Sequence, residues 1–375
     1  MNIGLFFTFD YSLKSWSESG TLQKELKIFQ KLNNEYNVKF TLFTYGDEAD
    51  ISIASNFKNF EVVPIYKEIK YFKSKILRIL YSLLIPFKLK SKVKDLDIIQ
   101  QHQIFGIWVT LILKFLSKKP LYIRTGYDAY EFSIKESKSH LIQYFYKFLT
   151  YLGLKFSNFY SVASFSDFNF IKFNFKHINQ NLVIRPNWVE DISINTKKLR
   201  NKILTVGRLE NQKNFQLLIN EFQNTSHELE IDIVGSGKLK KELEILSRKK
   251  NVKVNFLGII NNEELMKLYS KYYFYISTSL YEGNPKSILE ALSNGCIVFA
   301  SNIPNHAEII QDKKNGYLFD LEKPELLKIF KEVSNLNNLD LLSYQVKKQI
   351  LRTNNINKIA FDYWEDYQKV LNLLR

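Results

Sequence analysis

The sequence predicts an α/β protein with two doubly wound, Rossmann-like domains in series, each a parallel sheet covered by helices. Three observations support this class. Short apolar runs typical of buried strands alternate with helical patterns along the chain. A polar stretch over residues 191–201 interrupts the alternation once and is typical of a linker. The length of 375 residues is sufficient for two domains, each with its own core.

The first domain is predicted over residues 1–190. Helical patterns connect its strands, such as GTLQKELKIFQKL after the first strand and IFGIWVTLILKFL after the third. The strand-like runs are, in order, IGLFFTF, VKFTLFTY, LDIIQQH, PLYIRTG, FYSVASF and NLVIRPNWVE. Because such alternation places strands in parallel, their carboxyl ends share one edge of the sheet, where ligands bind.

The second domain is predicted over residues 191–355, with a final helix over 356–375. Helices separate most of its strands, which are KILTVGRL, LEIDIVGSG, VKVNFLG, YYFYISTS, CIVFAS and GYLFD. We expect the strand ends of the two domains to face each other across a ligand cleft.

Composition excludes several classes of protein. Hydrophobic residues make up 45% of the chain and aromatic residues 15%, which excludes a disordered protein. The single cysteine, Cys296, excludes a disulfide framework and fits a reducing compartment. The N-terminus lacks the basic region of a signal peptide, and no apolar run approaches the ~18 residues of a membrane span. We therefore expect a cytoplasmic enzyme.

The net charge of +15 is partly concentrated in residues 67–94, which hold nine Lys and Arg but a single acid, Glu68. Aliphatic residues between these cations give the segment an apolar face, as in a helix that lies on an anionic membrane. Pro86 is expected to break or end that helix. The alternative is an ordinary amphipathic helix with basic flanks on a lysine-rich, solvated surface.

The segment LYEGNPKSILEAL, residues 280–292, follows a strand and begins a helix whose first turn contains no acid. We predict Asn284 as the N-cap and Pro285 as the first helical residue. We then expect the amides near Lys286 and Ser287 to point outward. Unpaired amides and the helix dipole together bind phosphate groups.

Two carboxylates flank this helix start. Glu290 lies five residues beyond Pro285, about 7.5 Å along the helix axis. A carboxylate can accept hydrogen bonds from two neighbouring hydroxyls, as on a ribose or a sugar ring. The alternative is a capped helix with two surface glutamates, Glu282 and Glu290.

The segment VGRLENQKN, residues 206–214, places two cations at the end of a strand. Gly207 ends the strand, and Arg208 and Lys213 follow in a short turn together with Asn214, which would orient the turn or cap the next helix. A guanidinium fork and a mobile ammonium suit a diphosphate. The alternative is ordinary surface charge on a connecting loop.

These two motifs together resemble the family-4 retaining glycosyltransferases, which have the GT-B fold. The resemblance covers the C-terminal half well, through GRLENQKN, EGNPKSILE, PNWVE, IDIVGSG, VNFLG and NGYLFD. The first half is similar to one bacterial subgroup through YSLKSWSESGTLQKEL, TYGD and RTGYD. The resemblance implies transfer of a sugar from a nucleotide-diphosphate donor, such as a UDP-sugar, with retained anomeric configuration. It also implies that the final helix crosses back to the first domain.

The resemblance assigns roles by position. Arg208 and Lys213 would neutralise the diphosphate leaving group, Glu282 would contact hydroxyls of the donor sugar, and Glu290 would bind the ribose. The resemblance implies further donor-binding positions. Gly20 and Thr21 would lie in a loop near the phosphates, Gly207 and Asn214 beside the cations, and Gly235 and Gly237 where the backbone approaches the donor. Leu257, Gly258 and Ile259 would face the base, and Gly283, Asn284, Pro285, Lys286 and Ser287 would form the helix start.

The implied chemistry needs no metal. Breaking the bond from sugar to phosphate builds negative charge on the departing diphosphate, which fixed cations and amides stabilise. The acceptor hydroxyl attacks from the face that the diphosphate leaves, and a phosphate oxygen takes the proton. The sequence shows no Asp-x-Asp pair and no metal-ligand spacing. We expect no bound cofactor or metal.

Two residues of the first domain are candidates for the acceptor side. His102 ends the strand LDIIQQH, and it would face the cleft or simply satisfy a polar position at the strand end. Asp128 follows Gly126 in a loop after the next strand and is the strongest acceptor-side carboxylate. Either could take part in catalysis.

Two other classes of protein remain as alternatives. VGSGKLKKEL resembles a dinucleotide-binding turn and would indicate an NAD-dependent oxidoreductase, but it lacks the third glycine of that motif. The charge of +15 would suit nucleic acid, yet the cations are interleaved with aliphatic residues and no known motif of that class occurs. We therefore expect no nucleic-acid partner.

The basic apolar segment indicates where the acceptor is. We expect a lipid-linked or membrane-proximal glycan, such as a polyprenyl-diphosphate oligosaccharide of lipopolysaccharide or capsule synthesis. The enzyme would then lie peripherally on the inner face of the cell membrane, with residues 67–94 on the anionic surface.

Overall fold

The structure, a computed structural model, describes residues 1–57, 59–176, 178, 181–192, 196–223, 225 and 229–373. The chain divides into two compact units. Unit 1 comprises Met1–Pro186 and Ile359–Arg375, and unit 2 comprises Asn187–Lys358. The division therefore falls after Pro186, four residues before the predicted boundary. Residues 193–195 of the predicted linker and 374–375 of the predicted final helix lie outside the described residues.

Unit 1 alternates strands and helices. Its elements are β1 (Asn2–Phe6), α1 (Leu13–Glu18), α2 (Leu22–Tyr36), β2 (Lys39–Thr44), α3 (Glu48–Ala54), β3 (Phe60–Pro64), α4 (Ile65–Glu68), α5 (Lys75–Ser82), α6 (Ile85–Leu89), β4 (Ile98–His102), α7 (Ile107–Ser117), β5 (Leu121–Arg124), α8 (Ala129–Lys135), α9 (His140–Phe156), β6 (Phe159–Val162), α10 (Phe165–Asn174) and β7 (Leu182–Ile184).

The strands of unit 1 form one parallel sheet in the order β3-β2-β1-β4-β5-β6-β7. The central strands β4, β5 and β6 are buried along their whole length. A parallel sheet covered on both faces needs apolar residues at consecutive positions, and this explains the continuous apolar runs in the sequence.

Unit 2 repeats the alternation. Its elements are β8 (Leu199–Val206), a 3-10 turn (Asn211–Lys213), α11 (Phe215–Glu221), β9 (Glu230–Val234), α12 (Lys240–Lys249), β10 (Lys253–Gly258), α13 (Asn262–Ser270), β11 (Tyr272–Ser277), α14 (Lys286–Ser293), β12 (Ile297–Ser301), α15 (Pro304–Ala307), β13 (Tyr317–Phe319), α16 (Leu326–Ser334) and α17 (Leu339–Thr353), followed by α18 (Ile356–Asn372).

The sheet of unit 2 is also parallel, in the order β10-β9-β8-β11-β12-β13. Successive residues of a strand point to opposite faces. In β11, Phe274 and Ile276 accordingly belong to one hydrophobic cluster, whereas Tyr275 belongs to another. The two clusters form the cores of the two faces of this sheet.

The last helix closes unit 1. Most of α18 belongs to unit 1, where Tyr363, Asp366 and Tyr367 are buried. Arg185, which follows β7, donates to both carboxylate oxygens of Asp366 at 2.7 and 2.5 Å. Tyr367 donates to Gln100 Oε1 in β4 at 2.7 Å. The C-terminal segment is therefore part of the first unit's core.

Three sequence predictions differ from the structure. Residues 67–94 do not form one helix: α5 ends at Ser82, and Pro86 lies in the first turn of a second helix, α6, where its missing N–H is not needed. The predicted linker over 191–201 ends early, because β8 begins at Leu199. The edge strand β3 was not predicted from FEVVP, which is short and carries an acid.

Candidate functional site

The central feature of unit 2 is an ion pair between two loops. Lys213 lies in the turn after β8, and Glu282 lies in the loop after β11. These parallel strands are neighbours, so both loops leave the same edge of the sheet. The Lys213 Nζ donates to Glu282 Oε1, and both side chains are largely buried.

Further hydrogen bonds hold these two loops together. Thr278 Oγ1 donates to the Lys213 carbonyl at 2.8 Å. The Leu280 amide donates to the Gln212 carbonyl at 2.9 Å, and Gln212 Nε2 donates to the Tyr281 carbonyl at 2.9 Å. The relative position of lysine and glutamate is therefore fixed by backbone contacts on both sides.

The charge state of Glu282 depends on its neighbours. Burial would raise the pKa of Glu282, but the Lys213 ammonium and a hydrogen bond from Ser279 Oγ at 2.7 Å hold that pKa below its usual value. The carboxylate is thus ionised while out of water. The alternative of two surface glutamates is wrong, since Glu282 and Glu290 are both buried.

Arg208, the second cation of the turn, has a different environment. Its side chain is 66% exposed and pairs with Glu210 Oε2 at 3.0 Å. Its Nη2 also donates to Gln212 Oε1 at 3.2 Å. Because these contacts are exposed, the guanidinium can turn to an incoming anion at little cost.

Glycines allow two loops of unit 2 to pack backbone against backbone. Gly235 follows β9 with φ +137°, and a Cβ there would lie 2.0 Å from the Gly207 carbonyl oxygen. A Cβ on Gly237 would lie 2.5 Å from the carbonyl oxygen of Leu209. Only glycine fits these positions, so the turns after β8 and β9 form one close-packed rim. This packing explains both glycines without a dinucleotide.

The end of β10 adds two apolar side chains to the same edge. Gly258 has φ +71° and lacks a side chain. Its carbonyl oxygen accepts a hydrogen bond from the Gly235 amide at 2.7 Å. Leu257 and Ile259 on either side of it are exposed. Their contact with a base remains a prediction.

The start of α14 corrects the predicted cap. Pro285 is the N-cap residue, and Asn284 does not cap the helix. The Asn284 Oδ1 instead accepts from the Asn187 amide at 2.9 Å, and the Asn284 carbonyl accepts from Asn187 Nδ2 at 2.6 Å. Asn284 therefore holds Asn187, the first residue of unit 2, in place. The helix then begins at Lys286 and Ser287, and its described first turn contains no acid.

Glu290 lies inside α14, on its buried side, near Tyr269. Burial raises the pKa of Tyr269 well above its ordinary value, and the nearby Tyr275 and Glu290 add to this shift. Gly283 and Asn214 complete the loops: Gly283 is buried beside Glu282, and Asn214, with φ +49°, joins the 3-10 turn to α11. The unit 2 candidates are thus grouped along one edge of its sheet.

His306 is a residue that the sequence analysis missed. It is fully buried in α15, and its Nδ1 lies 2.8 Å from the Ser301 carbonyl oxygen. Burial lowers the pKa of His306 to about 4, although the nearby Glu282 carboxylate opposes this. The sequence could have indicated His306, because SNIPNH lies at the carboxyl end of β12, the strand next to β11. His306 is therefore a neutral neighbour of the ion pair.

The candidates of unit 1 form a separate set. His102 is buried at the end of β4, with its ring edge-on to Trp16 at 5.8 Å. Trp16 also accepts, through its carbonyl, from the Thr21 amide at 2.9 Å. Gly20, with φ +72°, makes the turn between α1 and α2. His102 and the Gly20–Thr21 turn thus contact the same residue, His102 through the Trp16 ring and the turn through the Trp16 carbonyl.

Asp128 has a structural task in unit 1. It is the N-cap of α8, where Oδ1 accepts from the Glu131 amide at 2.8 Å, and its other oxygen lies 3.4 Å from Thr150 Oγ1. Burial raises the pKa of Asp128 to about 6, although the capping hydrogen bond acts in the opposite direction. Its place on the acceptor side remains a prediction.

Neither a metal-ligand cluster nor a membrane-spanning helix occurs in the part of the chain that the structure describes. Among the described residues, no group of three or more His, Cys, Asp and Glu side chains is placed to hold a metal ion. No helix in this part of the chain is both long and apolar enough to cross a bilayer. The expectation of catalysis without a metal stays a prediction.

Comparison with known proteins places the site in a recognised domain. Residues 187–335 match the family Glycosyl transferases group 1. The N-acetylgalactosamine-N,N'-diacetylbacillosaminyl-diphospho-undecaprenol 4-alpha-N-acetylgalactosaminyltransferase of Campylobacter jejuni is 34% identical over 36% of this chain and 36% of its own length. The capsular polysaccharide biosynthesis glycosyltransferase CapH of Staphylococcus aureus is 28% identical over 63% of this chain and 68% of its own.

Other relatives match over shorter parts of their length. The GtfA subunits of Limosilactobacillus reuteri and Streptococcus agalactiae, named UDP-N-acetylglucosamine--peptide N-acetylglucosaminyltransferase, are 27% and 31% identical. The chain spans only 34% and 25% of them. Activity, substrate and partners of this chain therefore do not follow from those names.

Solved structures confirm the predicted GT-B fold. Sucrose-phosphate synthase from Thermosynechococcus elongatus matches with a TM-score of 0.79 at 13% identity, and each chain is covered completely. Alr3699/HepE of Anabaena, solved with UDP and glucose, matches with a TM-score of 0.76 at 15% identity over 98% of this chain and 100% of its own.

Proposed function

We propose that this protein is a retaining glycosyltransferase that moves a sugar from a nucleotide-diphosphate donor to a hydroxyl of a lipid-linked or membrane-proximal glycan in cell-envelope polysaccharide synthesis. The observation that carries the proposal is the buried Lys213–Glu282 pair beside the start of α14. A fixed positive charge and the amide groups of a helix start at one sheet edge suit a departing diphosphate. The group 1 domain match covers all of these residues.

Each residue of the site has a chemical task in this proposal. Lys213, held in place by Glu282, would stabilise negative charge on the leaving diphosphate, and the exposed Arg208 would turn to join it. The second carboxylate oxygen of Glu282, which accepts a long hydrogen bond of 3.5 Å from Gln212 Nε2, would accept from a hydroxyl of the donor sugar. Glu290 would hold the ribose, and the amides at Lys286 and Ser287 would hold the distal phosphate.

The bond changes then balance without a further reactant. The bond between the sugar's anomeric carbon and the diphosphate oxygen breaks, and a bond from the acceptor oxygen to that carbon forms on the same face. The acceptor's proton passes to an oxygen of the departing diphosphate. Preorganised cations lower the barrier because they need not reorient as charge develops.

The acceptor and the location belong to the same proposal. The relative from Campylobacter jejuni carries undecaprenol in its name, and CapH carries capsular polysaccharide. Residues 67–94 of this chain are basic with exposed aliphatic side chains in α5 and α6. We propose that the enzyme works at the cytoplasmic face of the membrane, where such a lipid-linked glycan is within reach.

The donor is tested by thermal shift of the full chain against diphosphates of uridine, guanosine and adenosine and their sugars. We expect one nucleotide to raise the melting temperature, and Arg208→Ala to reduce the affinity for it by roughly tenfold, as for loss of one charged contact. Arg208 suits this test because its ion pair with Glu210 is exposed, so we expect the fold to tolerate its removal. A chain that no nucleotide diphosphate stabilises would contradict the proposal.

Retention is tested on the product. Proton NMR of the first product formed should show the same anomeric configuration as the donor. An inverted product would contradict the retaining mechanism while leaving the transferase assignment in place.

The two alternatives are less well supported. The glycines at 235 and 237 fit the backbone of the neighbouring turn, and the family match is to glycosyl transferases rather than dehydrogenases. The surface cations are interleaved with aliphatic side chains, which suits a lipid surface better than nucleic acid.

A further inference from the structure

Helix α9 exposes an apolar face that its own unit does not cover. Leu149, Gly153 and Leu154 face the core, while the opposite side is a stripe at helical spacing. The exposed members of this stripe are Leu141, Tyr144, Phe145, Phe148 and Tyr151. Leu141 is 81% exposed. An uncovered apolar stripe of this size indicates a binding surface.

Helices α5 and α6 expose a second apolar set. Its members are Ile76, Leu77, Leu80, Tyr81, Leu83, Leu84 and Phe87. Arg78 does not belong to the exposed cations of this segment, because it donates to both oxygens of Asp10 and to two backbone carbonyls. That ion pair fixes α5 to the loop after β1 and leaves the apolar side facing outward.

Phe105 connects the two apolar sets. The Lys75 Nζ, at the start of α5, lies 5.4 Å from the centre of the Phe105 ring. The same ring packs edge-on against Phe145 of α9, with the ring centres 6.4 Å apart. The half-buried Phe105 thus makes α5, α6 and α9 one continuous surface, which we call the three-helix surface.

The charge around the three-helix surface is almost entirely positive. Of the nine cations in residues 67–94, Lys67, Arg78 and Lys92 pair with carboxylates. The other six have no carboxylate partner within the described residues: Lys70, Lys73, Lys75, Lys88, Lys90 and Lys94. Residues 137–160, which contain α9, include no Asp or Glu and add three lysines.

We propose that the three-helix surface binds an anionic phospholipid bilayer, with the apolar stripe of α9 inserted at the headgroup level beside α5 and α6. This inference rests on the membrane association proposed above and adds α9 as a second contact. Tyrosine suits the interface because its ring is apolar while its hydroxyl reaches the headgroups, and phenylalanine and leucine suit the acyl boundary below them. Lysines rimming the stripe would contact lipid phosphates.

Charge decides between a bilayer and a second copy of this chain. A symmetric dimer through this surface would place lysines of one copy against lysines of the other, because such an interface repeats the same patch. That arrangement is repulsive, whereas an anionic layer neutralises every lysine at once. The positive charge of the three-helix surface therefore favours an anionic bilayer over a second copy of the chain.

The test is flotation of the full chain with vesicles of phosphatidylcholine alone and of equal parts phosphatidylcholine and phosphatidylglycerol. We expect binding to the mixed vesicles only. The double variant Leu141→Ser/Phe148→Ser should partition at least about tenfold less, since two apolar side chains are lost from the membrane. Lys73→Ala should reduce partitioning about fivefold at low salt.

The matched control is Ile245→Ser/Leu341→Ser, which removes two similarly exposed apolar residues from unit 2. It should bind vesicles as the wild type does. Equal partitioning of the α9 variant and this control would overturn the role of α9. Equal binding to both vesicle types, or a wild type that self-associates and does not float, would overturn the anionic bilayer as the occupant.

Nucleotide-induced thermal shift of the same samples separates this inference from the proposed function. The α9 variant should keep the wild-type shift, because its substitutions lie in unit 1, whereas the loops after β8 and β11 belong to unit 2. Lost flotation with a normal nucleotide shift supports the three-helix surface. An α9 variant that also loses its nucleotide shift has lost its fold. In that case the single variant Leu141→Ser is tested instead. Wild-type flotation of this folded single variant overturns the inference.

Discussion

The Lys213–Glu282 pair shows how one contact serves both the fold and the proposed chemistry. The lysine keeps a buried carboxylate ionised, and the carboxylate holds the ammonium at the sheet edge. Removal of one partner leaves the other charged and out of water, which is more costly than removal of both. Loss of activity in a single variant therefore does not by itself prove a catalytic role.

We predict that Lys213→Met lowers the free energy of unfolding of the full chain by about 3 kcal/mol, the usual cost of breaking a buried pair. The double variant Lys213→Met/Glu282→Gln should recover most of that loss while still failing to bind the donor. Urea unfolding and thermal shift with nucleotide measure the two effects. A double variant as unstable as the single one would show that the lysine supports the fold by its packing rather than by its charge.

Asp128 makes the stability of unit 1 depend on pH. The native carboxyl holds its proton up to about pH 6, whereas the unfolded chain releases it near 3.8. The stabilising contribution is therefore full below pH 3.8 and is lost as the pH rises to about 6, a change of about 3 kcal/mol.

We predict that Asp128→Asn removes this dependence, because asparagine keeps the capping oxygen but carries no charge. The difference in unfolding free energy between variant and wild type should grow in favour of the variant from pH 4 to pH 6 and then level off. Asp128→Ala is the control, since it loses the cap as well. A difference that stays constant with pH would contradict the raised pKa.

At the scale of elements, the loops after the strands of unit 2 depend on glycine packing. The turn after β9 approaches the turn after β8 so closely that no side chain fits at residue 235. We predict that Gly235→Ala lowers the unfolding free energy by more than about 1 kcal/mol, since both the positive φ and the contact with the Gly207 carbonyl oppose a methyl group. Gly258→Ala is a useful comparison.

At Gly258 the φ is also positive, but a Cβ would meet nothing within 4 Å. Its substitution should therefore show the backbone strain alone, and Gly235→Ala should be the more destabilising of the two in urea unfolding. Equal losses would mean that the clash relaxes and that the rim is less tightly packed than the distances indicate.

The elements differ in how far their sequence determines them. Buried parallel strands such as YYFYIS were predictable, since both faces are apolar and a continuous run has few other solutions. The edge strand β3 and the end of α5 at Ser82, ahead of Pro86, were not. Their form depends on partners distant in sequence: β3 pairs only with β2, and α5 is fixed by the bond of Arg78 to Asp10.

The same reasoning applies to the site. The cations and carboxylates of unit 2 could be predicted because each follows a strand end. The role of Asn284 could not, because its partner Asn187 is 97 residues away. The burial of Asp128 likewise depends on packing against α9, where Thr150 contacts it, although its capping bond with the Glu131 amide is local.

At the scale of the whole molecule, unit 1 is discontinuous in sequence. Its core needs Tyr363, Asp366 and Tyr367 from α18. Without α18, the Arg185 guanidinium and the Gln100 amide lose their buried partners. Unit 2, by contrast, is one uninterrupted stretch of chain.

We predict that a fragment of residues 187–358 folds and unfolds cooperatively, whereas a fragment of residues 1–186 does not. Circular dichroism with thermal melting distinguishes them. Joining residues 356–373 to the C-terminus of the shorter piece through a flexible linker should restore a cooperative melt. A fragment of residues 1–186 that melts cooperatively by itself would show that α18 is dispensable for the first core.

The position of α18 also sets an order of events during protein synthesis. The ribosome delivers the segment that completes unit 1 last, after all of unit 2 has emerged, and domains generally fold as their chain becomes available. The second half can finish before the first. Until residue 367 has left the ribosome, the part of unit 1 that α18 covers remains exposed to solvent. A chaperone that binds this surface is most needed during that time.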